Sequence, residues 1–186
     1  EKALEIRRAV LGEMHADTAS SYDNVGISYE DKGDREKGLE YQKKALEIRR
    51  AVLGEMHMDT ATSYNNVGIN YWNNGDRKRA LEYQEKALEI RQTIVGEMHV
   101  DTARAYHNLG FVYEKMGDVQ KGLEYQEKAL EIRRKILGET HIDTAISYNN
   151  VGVSLSEYGD QQKGLEYQEK ALEIRRAVLG EMHADT

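Results

Sequence analysis

The sequence predicts an all-α fold in which helix hairpins stack in single file as a solenoid. An internal repeat is the main observation: the block Ala-Leu-Glu-Ile begins at Ala3, Ala45, Ala87, Ala129 and Ala171. Each step, such as that from residue 3 to residue 45, is 42 residues. The helical spacing of apolar residues and the placement of glycine also support this fold. Because one repeat is too short to bury a core alone, neighbouring repeats must cover each other.

The first helix of each repeat is predicted from apolar spacing. Tyr22, Val25, Gly26 and Tyr29 fall at i, i+3, i+4 and i+7, which places them on one face of a helix from about residue 17 to residue 31. Gly33 then suits a left-handed turn after the helix. The chain is expected to reverse there.

The second helix is predicted from Arg35 to Leu53, with Asp34 as its N-cap. Glu40 and Lys44 stand at i and i+4 on its outer face, and the pair recurs in the later repeats. Such a pair favours a solvated helix face. Glycines also recur inside both helices, as at Gly26 and Gly38. Since glycine inside a helix costs about 1 kcal/mol relative to alanine, we expect close helix approach there.

The whole chain, 1–186, is interpreted as one repeat array. It comprises a partial repeat over residues 1–16 and repeats at about 17–58, 59–100, 101–142 and 143–184. Residues 1–3 repeat residues 169–171, so we expect a fragment of a longer array.

Composition excludes several classes of function. A net charge of −7 disfavours nucleic acid as a partner, and no apolar run is long enough to span a membrane. The chain has no cysteine, which excludes disulfides and thiolate sites and fits a cytoplasmic, intracellular location. No phosphate-binding glycine loop or nucleophile elbow is present. We therefore expect neither enzyme activity nor a cofactor.

A ladder of histidines stands between the repeats, at His15, His57, His99, His141 and His183. Packed helices lie about 8–10 Å apart, whereas zinc ligands lie about 2 Å from their metal, so these histidines cannot share an ion. Capping of the first helix is the expected role. The recurring tyrosines are expected to fill the core.

Across essentially the whole chain, the sequence resembles the tetratricopeptide repeat. The resemblance is carried by the pattern N-x-G-x-x-Y, G-D, (G/A)-L-E-Y and A-L-E-I. The sequence is also similar to the 42-residue variant of this repeat, which occurs in kinesin light chains and in sensor domains of some signalling ATPases. This similarity lies in the linker L-G-E-x-H-x-D-T-A and in the run S-Y-N-N-V-G. The resemblance implies a right-handed superhelix that serves as a protein-interaction scaffold, with the first helices lining a concave groove.

The resemblance also implies which positions contact a ligand. In the first two complete repeats they are Ser20, Asp23, Ile27, Glu30 and Asp31, then Thr62, Asn65, Ile69, Trp72 and Asn73. In the next two they are Arg104, His107, Phe111, Glu114 and Lys115, then Ile146, Asn149, Val153, Ser156 and Glu157.

We predict an aromatic and basic binding centre for an extended peptide that carries a carboxylate. The centre is formed by Trp72, Arg104, His107, Phe111 and Lys115. The alternative is that Phe111 only packs against its neighbour and the charges are solvated. Asn24, Asn66, Asn108 and Asn150 recur where related modules bind ligand backbone. They either bind a ligand or bond to the adjacent helix of the stack.

Two other functions remain open. Residues 1–18 and 169–186 are identical, so exposed ends of the solenoid could associate head to tail or exchange helices, which would make a homo-oligomer. The chain could also be the ligand-sensing arm of a larger signalling ATPase.

Overall fold

The structure, a computed structural model, describes residues 1–180, apart from the side chain of residue 179. This part of the chain contains nine helices and no strand. They are α1 (Lys2–Leu11), α2 (Ala16–Asp31), α3 (Arg35–Leu53), α4 (Met58–Asn73), α5 (Arg77–Val95), α6 (Val100–Lys115), α7 (Val119–Leu137), α8 (Ile142–Tyr158) and α9 (Gln161–Leu179). The all-α prediction is confirmed, and α3 has the predicted bounds. No helix in the described range is long and apolar enough to cross a membrane.

The chain forms two compact units, an N-terminal unit of Glu1–Ile94 and a C-terminal unit that begins at Val95. In the N-terminal unit, α2 packs on α3 and α3 on α4. In the C-terminal unit, α6 packs on α7, α7 on α8, and α8 on α9. Each unit is therefore a series of helix hairpins in chain order.

Each unit has apolar clusters that join consecutive hairpins. In the N-terminal unit, α2, α3 and α1 share a cluster that includes Tyr22, Ile48 and Leu4, and Leu46 of α3 joins the cluster of α4 and α5. In the C-terminal unit, Leu130 of α7 joins the cluster of α8 and α9. Since one cluster draws on two repeats, neighbouring repeats bury each other's apolar faces. Of the tyrosines expected in the core, Tyr22 and Tyr148 are buried in these clusters, whereas Tyr29 and Tyr41 are half-buried against them.

Helix ends follow local sequence. Gly33 has φ 85° and lets the backbone turn after α2, a conformation that other residues rarely adopt. The Asp34 side chain accepts a hydrogen bond from Lys37 N at the start of α3. His57 Nδ1 accepts from Asp59 N at 3.1 Å and caps α4. The same cap precedes α2, α6 and α8, so the predicted capping role is confirmed there, while His183 lies outside the described residues.

Glycines inside helices mark close contacts between paired helices, as predicted. A methyl group on Gly26 would lie 2.9 Å from the carbonyl oxygen of Gly38. On Gly152 it would lie 2.7 Å from the carbonyl oxygen of Gly164. Only a hydrogen fits at these positions because the backbone of the partner helix occupies the space.

Glu40 and Lys44 stand at i and i+4 but do not form an ion pair. Lys44 Nζ instead contacts Glu47, at 3.1 Å, and Lys86 likewise contacts Glu89, at 2.9 Å. The later lysines of this position lie over tyrosine rings, as Lys128 does over Tyr106 and Tyr125. An i,i+3 carboxylate competes with the i,i+4 one, and the helix period alone does not choose between them.

Candidate functional site

Each unit exposes a row of apolar side chains on its first helices. Ile27 of α2 and Ile69 of α4 are 43% and 41% exposed in the N-terminal unit. Phe111 of α6 and Val153 of α8 are 41% and 38% exposed in the C-terminal unit. All four occupy the same position of the repeat. We call the surfaces around them the first-helix faces of the two units.

Residues predicted for ligand binding in the N-terminal unit also make contacts with other parts of the helix stack. The Asn73 side chain donates to Glu30, and the Asn73 carbonyl oxygen accepts from Arg35 Nη1 at 2.8 Å. Trp72 is half-buried against the cluster of α4 and α5, and the Arg77 guanidinium lies 4.3 Å from its ring centroid. These contacts fix the end of α4 against α2 and α3.

A buried ion pair lies beneath this face. Asp23 is 5% exposed and accepts a hydrogen bond from Arg49, which also donates to Ser63 Oγ at 2.5 Å. Burial raises the pKa of Asp23, although the attraction and hydrogen bond of Arg49 oppose that shift. The Asn66 side chain also favours the ionised carboxylate. Its neighbour Asn65 donates to the Asn66 side chain at 3.4 Å, and both asparagines are half-buried.

In the C-terminal unit, the predicted basic residues have acidic neighbours. Arg104 is exposed and donates to Asp101 at 2.6 Å. Lys115 Nζ lies 3.9 Å from Glu157 and 6.0 Å from the centroid of the Phe111 ring. Such exposed pairs contribute little stability and are exchangeable, so they leave the cations accessible to a ligand.

His107 is placed among three helices. Its Nδ1 lies 3.0 Å from Gln126 Oε1 of α7 and 3.2 Å from Asn150 Nδ2 of α8. Burial lowers the pKa of His107, and the nearby Arg133 lowers it further. The Asn150 amide thus bonds to a neighbouring first helix, which is the structural alternative for this row of asparagines. Asn108 of α6 and Asn149 of α8 are half-buried.

The five residues predicted to form one aromatic and basic centre are divided between the two units. Trp72 stands on α4 of the N-terminal unit, whereas Arg104, His107, Phe111 and Lys115 all stand on α6 of the C-terminal unit. On α6 the exposed members are Arg104, Phe111 and Lys115, while His107 is half-buried. The centre as a whole therefore remains a prediction.

Sequence reasoning missed a polar contact that recurs at the linkers. Tyr64 Oη donates to Glu55 Oε1 at 2.5 Å, and Arg50 Nε donates to Glu55 Oε2 at 2.7 Å. The same arrangement joins Tyr22, Glu13 and Arg8, and again Tyr148, Glu139 and Arg134. The constant spacing of these residues in the repeat was the available signal. The described residues contain no group of three or more acidic, histidine or cysteine side chains that could hold a metal.

The comparisons with known proteins agree with this architecture. The model of the tetratricopeptide repeat family matches residues 23–93 and 101–184. BtubC (BKLC) from P. vanneervenii is 28% identical, with a TM-score of 0.81 over 91% of this chain and 68% of that chain. A putative kinesin light chain of Podosopora anserina with nearly identical TPR-like repeats is 21% identical, with a TM-score of 0.77 over 94% and 82%.

MamA is 20% identical to the chain, with a TM-score of 0.64 over 94% of this chain and 85% of that chain. At this level of identity the likeness of MamA and of the Podosopora anserina protein shows the fold alone. No curated protein matches the chain. The matched segments include all the residues predicted to contact a ligand from Asp23 onward.

Proposed function

Because the chain belongs to the tetratricopeptide repeat family, whose members generally serve as protein-interaction scaffolds, we propose that it binds an extended peptide or partner segment along its first-helix faces. The observation that carries the proposal is the exposed apolar row of these faces, Ile27 and Ile69 in one unit and Phe111 and Val153 in the other. Exposed apolar side chains rimmed by polar ones are typical of protein interaction surfaces.

The polar neighbours support this proposal by holding the apolar row in place. Asn73 bonds to Glu30 in the N-terminal unit, and Asn150 bonds to His107 in the C-terminal unit. Each contact joins consecutive first helices, so the row lies on a rigid surface. Rigid surfaces lose less entropy on binding than mobile ones do.

Charge gives each face a different preference. The C-terminal unit places Arg104 and Lys115 on the same helix as Phe111, which favours a ligand with an apolar side chain and a carboxylate. The N-terminal unit places Asp31 and Glu30 near the end of α2. An acidic group of a ligand would be disfavoured at that end of the N-terminal first-helix face.

To test the proposal, peptides that bind the chain are first selected from a random dodecapeptide library. Fluorescence anisotropy then compares their affinities for Phe111→Ala, Arg104→Ala and the control Leu165→Ala. Leu165 is 49% exposed, stands on the second helix α9, and lies outside the first-helix faces. We expect a loss of about tenfold or more for Phe111→Ala and Arg104→Ala and none for the control. Equal affinities for all three variants would remove the proposal.

Self-association is a second candidate, and exposed apolar residues near both ends of the chain favour it. Ile6 of α1 is 54% exposed, whereas its equivalents Ile48 and Ile90 are fully buried. Leu165 of α9 and Tyr158 of α8 are 49% and 55% exposed. Since α1 has the sequence of residues 170–179, a second copy could place its α9 where α1 packs on α2.

Sedimentation velocity over a range of concentrations tests this candidate. A defined oligomer that Ile6→Glu disrupts would support it, with Met56→Glu as the control at another exposed apolar position, 46% exposed. A monomer at high concentration would exclude it. The outcome does not bear on peptide binding, because the substituted residues lie away from the first-helix faces.

A further inference from the structure

A wide groove lies on the second-helix side of the N-terminal unit. It has a volume of about 830 Å³ and is lined by α1, α2, α3 and Tyr83 of α5. None of its lining residues belongs to the apolar row of the first-helix faces. The volume lies within the range of about 300–1,000 Å³ that ligand sites in proteins occupy. We call it the α3 groove.

The floor of the α3 groove is apolar and rigid. Leu4 and Leu46 are 6% and 5% exposed, and Leu39 is half-buried beside them. The Tyr41 ring lies 5.9 Å from the Tyr22 ring, between centroids, in the shared cluster. An apolar side chain of a partner would find preformed contacts here, without rearrangement of the groove.

Most cations at the rim of the α3 groove already have a carboxylate partner. Arg8 contacts Glu13 at 2.6 Å, and Lys44 contacts Glu47 at 3.1 Å. Arg50 contacts Glu55 at 2.7 Å in the same way. These pairs reduce the attraction that the groove exerts on an acidic ligand.

Two carboxylates at the rim have no ion-pair partner within the described residues. Glu36 and Glu40 are exposed, line the groove and make no ion pair or hydrogen bond within residues 1–180. They stand one turn apart on α3, about 6 Å along the helix axis, where like charges repel. Lys43 also lines the groove and makes no ion pair within the described residues. Its single positive charge is outnumbered by the two negative charges of Glu36 and Glu40.

This pair of carboxylates is particular to the repeat that forms the groove. The other complete repeats place Lys78, Gln120 and Gln162 where this one has Glu36. Gln162 donates to Glu166 at 3.3 Å, so in that repeat a neutral side chain satisfies the second carboxylate. The repeat with the α3 groove thus keeps a repulsive pair that the others relieve.

We propose that the α3 groove binds a segment of a partner protein in which a basic side chain is flanked by apolar ones. The apolar side chains lie on Leu39, Leu46 and the tyrosine rings, and the basic group lies between Glu36 and Glu40. Binding relieves the repulsion between these two carboxylates and covers the exposed part of the floor. This surface is separate from the first-helix faces, so the chain would engage two partner segments at once.

The test uses a fluorescein-labelled decapeptide of alternating arginine and leucine, and the same peptide with glutamate in place of arginine. Fluorescence anisotropy measures the affinity of each peptide for the wild-type chain and for Glu36→Gln/Glu40→Gln. The matched control is Glu82→Gln/Glu124→Gln. It removes two exposed carboxylates that line no part of the groove and gives the same net charge.

We expect the basic peptide to bind the wild-type chain and to lose about fivefold or more in affinity with Glu36→Gln/Glu40→Gln but not with the control. Lys43→Gln should tighten its binding. An equal loss in both double variants would reduce the effect to overall charge and overturn the proposal. So would equal or tighter binding of the glutamate peptide, or no binding of the basic one. Phe111→Ala serves as a separate readout, because it weakens ligands of the first-helix face and leaves this peptide unaffected.

Discussion

The contact of Tyr64 with Glu55 and Arg50 at the linker after α3 allows a quantitative prediction. Tyr64 is 9% exposed, and the Glu55 side chain is 33% exposed. Tyr64→Phe removes the donor to Glu55 and leaves the Arg50 contact in place. A hydrogen bond to a charged group contributes about 1.5–3 kcal/mol. Because Glu55 is partly solvated, we expect a loss near the lower end, about 1.5 kcal/mol of unfolding free energy.

The pH dependence of this loss follows from the two pKa values. Burial raises the pKa of Glu55, but the hydrogen bonds from Tyr64 and Arg50 outweigh it and leave this pKa below its ordinary value of 4.5. The stabilisation is therefore present above pH 4.5 and is lost as pH falls through the lowered pKa. Burial and the bond to Glu55 raise the pKa of Tyr64 from 10.0. Its contribution is present below pH 10.0 and is lost as pH rises further.

Urea unfolding followed by far-ultraviolet circular dichroism measures the difference between wild type and Tyr64→Phe. We expect a plateau between about pH 5 and pH 9 and a smaller difference on either side. The control is Tyr158→Phe, since Tyr158 is 55% exposed and makes no hydrogen bond within the described residues. A loss below about 0.5 kcal/mol, or one independent of pH, would refute the reasoning.

Three further predictions concern single packing or polar contacts. Gly122→Ala places a methyl group 2.9 Å from the Gly110 carbonyl oxygen and should cost about 1–3 kcal/mol, measured by urea unfolding. Thr60→Val removes the bond from Thr60 Oγ1 to the Gly54 carbonyl oxygen, 2.8 Å long, and should cost about 1 kcal/mol, measured by thermal unfolding. Burial lowers the pKa of His107 from 6.5, so its contribution to stability is present above pH 6.5 and is lost as pH falls through the lowered pKa. His107→Asn should therefore flatten the acid side of a melting-temperature profile below pH 6.5, and an unchanged profile would contradict this.

The candidate site was predictable only in part. The exposed apolar position of Ile69 and Phe111 could be placed from the repeat and the family resemblance. The partners of its polar neighbours could not. Asn150 reaches His107, which lies 43 residues earlier, because consecutive first helices pack side by side. Side-chain bonds between repeats depend on helix crossing and rotamers, which the repeat period does not specify.

Sequence by itself determined the features that local physics controls. The 42-residue period follows from blocks that recur along the chain. The bounds of α3, the turn at Gly33 and the cap at His57 follow from residues that lie within a few positions of each other. Hydrogen bonds inside a helix and at its ends join such neighbours, so their pattern is legible in the chain.

Tertiary structure alone decided which surface charges are compensated and where a groove opens. Lys44 pairs with Glu47, so Glu40 is left beside Glu36 at the rim of the α3 groove. The groove itself requires α1, α3 and α5 side chains that the chain brings together from different repeats. The ion pair is chosen among partners that lie at similar distances along α3, whereas the groove needs helices of different repeats to pack together, and the repeat period specifies neither outcome.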